Sequence, residues 1–67
     1  MKELINKADQ LLETIDMGLL SEEVAFSEIR VLRNEIENAY DEGSDEFMIC
    51  IYPLIDANEV AMRLYND

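Results

Sequence analysis

Apolar residues recur at helical spacing along almost the whole chain, and the breaks in that recurrence divide it into three segments. From Lys2 to Met17 the residues Leu4, Ile5, Ala8, Leu11, Leu12 and Ile15 share one side, while Glu3, Asn6, Lys7, Asp9, Gln10, Glu13 and Asp16 fill the others. This spacing predicts an amphipathic helix. Gly18 stands where a helix stop places a residue with left-handed backbone. Ser21 then offers a side-chain oxygen to the free amides of a new first turn, Glu22 and Glu23 suit the positive end of its dipole, and Leu20 can staple onto Ala25. The second helix is predicted to run to about Tyr40 on a seam of Ala25, Ile29, Leu32, Ile36 and Ala39, with Val24 and Val31 widening the stripe. Its pattern continues into the acidic turn Asp41-Glu42-Gly43-Ser44-Asp45-Glu46. The stretch from Ser21 to Glu46 therefore reads as the organiser, with the first helix packed against it and the last third closing the same core.

Gly43 suits a helix stop and Ser44 a new cap. The run Phe47-Met48-Ile49-Cys50-Ile51-Tyr52 has the composition of a buried strand as well as of a helix. Helix is expected, because no second strand candidate exists to satisfy its backbone. Pro53 lacks an amide proton and biases Tyr52 away from helical angles, and Asp56 with Glu59 has the spacing of a fresh cap. The expected fold is all-α: one domain over residues 1–67, a small antiparallel bundle of three helices, the third kinked or split at Pro53.

Size sharpens this expectation. A chain of 67 residues holds a single small core, worth about 3 to 5 kcal/mol in the absence of paired cysteines or a metal cage. Either very regular packing or self-association is expected to compensate, and the seam of the second helix is the natural place for a second copy to pair. Charge narrows the partners. Sixteen acids against five bases leave a formal charge of −11, which repels phosphate and disfavours nucleic acid and anionic membranes while favouring a cationic protein. One cysteine, Cys50, makes no internal disulfide, so a cytoplasmic location is the default. The Met1 to Asn6 segment is broken by polar residues and reads as neither a signal peptide nor a membrane span.

Catalytic chemistry finds little to work with. There is no histidine, so Ser-His and Cys-His nucleophilic routes lack their base. Cys50 lies in the most apolar stretch and reads as a core residue. Zinc finds one thiol and no imidazole. The acids around Gly43 offer oxygen ligands for calcium or magnesium, but their spacing departs from the EF-hand loop and capping already accounts for them. The pairs Glu42-x-x-Asp45 and Asp56-x-x-Glu59 have the form of a magnesium-dependent phosphohydrolase site, which is kept as a remote alternative without a basic residue nearby to receive phosphate. No cofactor is expected, and the chain reads as a binding protein rather than an enzyme.

Two surface features stand out. Phe26, Arg30, Arg33, Glu37 and Tyr40 form a second line on the middle helix, best explained by local pairs such as Arg33 with Glu37 and otherwise an aromatic-ended contact surface. More telling, Glu35, Glu37, Asp41, Glu42, Asp45 and Glu46 place six carboxylates in twelve residues with no cation among them. With Tyr40 and Tyr52 close by, they are the expected partner-binding residues: carboxylates standing in for phosphates and steering association, rings anchoring it. The segments Leu19-Leu20-Ser21-Glu22-Glu23, Phe26-Ser27-Glu28-Ile29, Gly43-Ser44-Asp45 and Tyr52-Pro53 resemble the small acidic helical immunity proteins that neutralise nuclease bacteriocins of the colicin type. In that family a Gly-Ser-Asp turn leads into a Tyr-Tyr-Pro helix that grips the nuclease. Here Ile51 stands at the first of those tyrosines, so the resemblance carries over only Asp45, Tyr52 and Pro53. It implies neutralisation of a toxin nuclease, while the acidic cluster itself points to occupation of the nucleic-acid surface of a nuclease or other nucleic-acid enzyme, for which toxin immunity and phage counter-defence are two settings. A homo-oligomeric helical assembly module is the alternative.

Overall fold

The computed structural model describes residues 2–66, with side chains from Glu3 onward. Met1, the first residue of the stretch weighed as a leader, lies outside them. Three helices form in the order α1 (Lys2–Asp16), α2 (Glu22–Ala39) and α3 (Asp45–Tyr65), with no strand among the described residues.

The first two helices are joined as the sequence leads one to expect. Gly18 takes φ +72, and the chain closes α1 with two crossed bonds: Gly18 N–H donates to the Ile15 carbonyl at 2.9 Å and Leu19 N–H to the Thr14 carbonyl at 3.3 Å. That pair is the Schellman stop. Ser21 caps α2, its Oγ accepting from Val24 N–H at 3.4 Å.

Packing assigns the roles differently from the sequence. α3 is the element at the centre of the bundle: α1 packs most extensively against α3, α2 next, and α1 and α2 meet least. The core holds Ala8 and Ile15 of α1, Ala25, Ile29, Leu32 and Ile36 of α2, and Cys50, Ile51, Leu54, Ala57 and Ala61 of α3. Alanines at 8, 57 and 61, all fully buried, leave little side-chain bulk between backbones, which lets α1 and α3 approach closely. α2 brings Ile29, Leu32 and Ile36 beside its one buried alanine, Ala25, and meets α3 less extensively than α1 does. Its stripe is narrower than predicted, since Val24, Val31 and Ala39 are exposed. Direction follows from contacts at the ends. Lys7, early in α1, reaches Glu35, late in α2; the Tyr65 hydroxyl at the end of α3 donates to the Leu20 carbonyl just before α2, and its ring meets Phe26 edge-on at 6.4 Å. Neighbours in sequence are therefore antiparallel.

The end of α2 agrees with the sequence, and two other expectations change. α2 ends at Ala39 and Tyr40 turns to extended angles (φ −135, ψ 151), within one residue of the end expected near Tyr40. Gly43 is not the helix stop, because Gly18 is the only residue described with positive φ. α3, moreover, runs through Pro53 as one helix of 21 residues, so it is not split. Phe47–Tyr52 is helical, and Asp56 and Glu59 lie inside the helix rather than capping a new one. Pro53 removes the bond that would close on the Ile49 carbonyl, at a cost of about 3 kcal/mol in a helix interior. Two facts hold the helix together across it. Ile49 is on the exposed side, where water can take the missing donor's place, and the buried face from Cys50 to Ala61 spans the proline on both sides.

Candidate functional site at the acidic corner

The corner between α2 and α3 is built around Ser44. Asp41 to Ser44 forms a turn closed by Ser44 N–H donating to the Asp41 carbonyl at 3.0 Å. The Ser44 hydroxyl donates to the same carbonyl at 2.7 Å and accepts from Phe47 N–H at 3.2 Å, which caps α3. One side chain thus fixes both the turn and the start of the next helix. Asp41 and Glu42 are carried outward on the turn, and Asp45 and Glu46 stand exposed in the first turn of α3, where the unpaired amides of the helix favour negative charge. Beneath them Tyr40 and Phe47 are half-buried against the core.

The six carboxylates do not form one patch. Glu35 faces α1, with Lys7 Nζ at 3.5 Å from its Oε2. Glu37 lies about 200° further round α2 and pairs with Arg33 Nε at 4.0 Å, which is the local pairing expected for that line. The structure brings together Asp41, Glu42, Asp45 and Glu46, and these four make no ion pair among the described residues. Tyr52 is 55% exposed and sits two turns along from Asp45 on nearly the same side of α3, about 10 Å away along the axis. Of the segments that carried the family resemblance, Gly43-Ser44-Asp45 is this turn and cap, and Tyr52-Pro53 lies in mid-helix.

No three Cys, Asp or Glu side chains among the described residues are grouped to hold a metal ion. Glu42 and Asp45 belong to the corner, whereas Asp56 and Glu59 lie inside α3 along its length. Cys50 is 3% exposed in the core, and burial pushes its thiol pKa up. A thiol so placed stays neutral and unreactive. No helix among the described residues is long and apolar enough to cross a membrane.

Sequence reasoning missed a feature of α3. Met48, Ile49, Ile55 and Met62 are exposed on it beside Tyr52, although Met48 and Ile49 belong to a run with the composition of a buried segment. Ile55 and Met62 border a groove of about 390 Å³ between α2 and α3, floored by Ile29, Ile51 and Leu54. A second groove, of about 440 Å³, separates α1 from α2, with Val24 and Val31 in its wall and the Lys7–Glu35 pair beside it. The signal was in the chain: positions 48, 55 and 62 are seven apart and share a helix face.

No protein-family model, curated protein or solved structure matches this chain.

Proposed function

We propose that this chain is a non-catalytic acidic protein that docks on a basic surface of a protein partner, and that the surface is the one a nuclease or other nucleic-acid enzyme uses for its nucleic acid. The observation that carries this reading is the set of four carboxylates, Asp41, Glu42, Asp45 and Glu46, exposed at one corner without intramolecular cations. On a chain of charge −11, such a corner raises the rate of encounter with a positive surface. Tyr52 supplies an aromatic ring beside it, the kind of side chain that anchors interfaces. Glu35 and Glu37 contribute to the long-range field only, because each is held by its own cation. Tyr40, half-buried against the core beneath the corner, offers a second ring at its edge. The resemblance to immunity proteins favours toxin neutralisation as one setting, and the charge alone suits counter-defence as another, both in the cytoplasm.

The test begins with capture of a nucleic-acid enzyme on the immobilised protein at low salt. Its association rate is then followed as sodium chloride is raised, and nucleic acid is added as competitor. The rate should fall steeply with salt, nucleic acid should displace the protein, and the combined variant Asp41→Asn, Glu42→Gln, Asp45→Asn, Glu46→Gln should associate at least tenfold more slowly. Tyr52→Ala, at an exposed position, should mainly speed dissociation. An association indifferent to salt, or simultaneous binding of nucleic acid and protein, would overturn the reading.

A further inference from the structure

The exposed stripe on α3 is self-complementary. Met48, Ile55 and Met62 are 39%, 47% and 48% exposed and follow one another at seven-residue steps, so they lie along one line that drifts only about 20° per step. The line is about 21 Å long with Ile55 at its middle. Turned end for end about Ile55, it meets itself: Met48 falls opposite Met62 and Ile55 opposite Ile55. Charge obeys the same symmetry. Asp45 and Arg63, 18 residues apart and hence on one side of the helix, lie about 15 Å and about 12 Å from the centre in opposite directions, and neither has an ion pair among the described residues. In an antiparallel pair related by a two-fold axis, Asp45 of one copy comes beside Arg63 of the other.

We propose that α3 pairs antiparallel with α3 of a second copy of this chain, about a two-fold axis at Ile55. The α2 seam does not serve, because Ala25, Ile29, Leu32 and Ile36 are spent in the chain's own core. Like charges approach on that flank near the axis, Asp56 against its own copy and against Glu59 of the other copy about 8 Å along the axis, and the −11 charge of each chain adds a general repulsion that physiological salt screens beyond about 8 Å. Asp45 belongs to this contact and to the acidic corner, so a second copy and a basic partner compete for it.

Sedimentation equilibrium of the purified chain at micromolar concentration and physiological salt should show a dimer. Ile55→Glu should weaken it by more than about tenfold, since two like charges are then forced together in an apolar contact, with helicity unchanged because the side chain is half exposed in the single chain. Leu64→Glu, at a residue equally exposed but about 180° round the helix, should leave the dimer intact. Should Ile55→Glu lose helicity, Met62→Lys provides the same test. Asp45→Arg and Arg63→Glu should each weaken the dimer and together restore it, and Asp56→Asn should tighten it. A folded monomer at every concentration, equal effects of Ile55→Glu and Leu64→Glu, or a charge swap that restores nothing would each overturn the proposal. No partner enters this test, so its failure leaves the basic-partner reading untouched.

Discussion

Two glycines separate residue type from residue role. Gly18 occupies left-handed backbone with open space around it, so a side chain there meets no neighbour and its cost is wholly conformational. Gly18→Ala should lower stability by about 1 kcal/mol. Gly43 has equally open space and no positive φ, so Gly43→Ala should change stability by less than about 0.5 kcal/mol in either direction. Urea midpoints of the two variants check the contrast, and equal losses would contradict it. Cys50 makes a pH prediction. Its buried thiol resists ionisation, so as pH rises the unfolded chain releases its thiol proton first. The stability this group contributes is complete below the ordinary thiol range and is lost as pH climbs through it toward the raised folded value. Compared with Cys50→Ala, the native chain should lose stability more steeply in mildly alkaline solution. Parallel curves for the two would show the thiol to be uncoupled from folding.

At the scale of elements, helix starts were legible, and so was the place where α2 ends, though not its cause. Ser21 and Ser44 cap as their spacing requires, since a cap is a contact over three residues and depends on nothing distant. Ala39 ends α2 for another reason: Tyr40 leaves helical angles while packing against the core, a choice made by burial rather than by any local stop residue. Pro53 shows the same priority. Local preference argues for a break, yet a buried face continuous from Cys50 to Ala61 keeps one helix. Pro53→Ala should therefore raise stability by about 1 to 3 kcal/mol, the restored bond and propensity outweighing a half-buried ring. The shift is measurable as a higher urea midpoint with unchanged slope, and a loss of stability would mean that the proline ring matters more than the missing bond.

For the whole molecule, the balance of charge acts against the balance of burial. Eleven excess negative charges on a body 34 × 17 × 15 Å in extent repel one another, and only two ion pairs relieve them among the described residues. Thermal stability should therefore rise as sodium chloride is added from low to moderate concentration, until screening is complete. A melting temperature that falls over that range would show the two ion pairs to outweigh the general repulsion. The acidic corner was half legible for a related reason. Six carboxylates close in sequence suggested a single patch, but residues two apart on a helix point to opposite sides, so Glu35 and Glu37 went to different neighbours and four acids remained. Helical periodicity, the two serine caps, the Gly18 stop and the surplus of acid were set by the sequence itself, because each depends on residues within a turn or two, or on none in particular. Which helix became the centre, how far Pro53 was tolerated and which apolar side chains of α3 stayed outside were decided by tertiary packing. Three helices offer more apolar faces than one small core can bury, and the small alanines at 8, 57 and 61 settled which of them came closest.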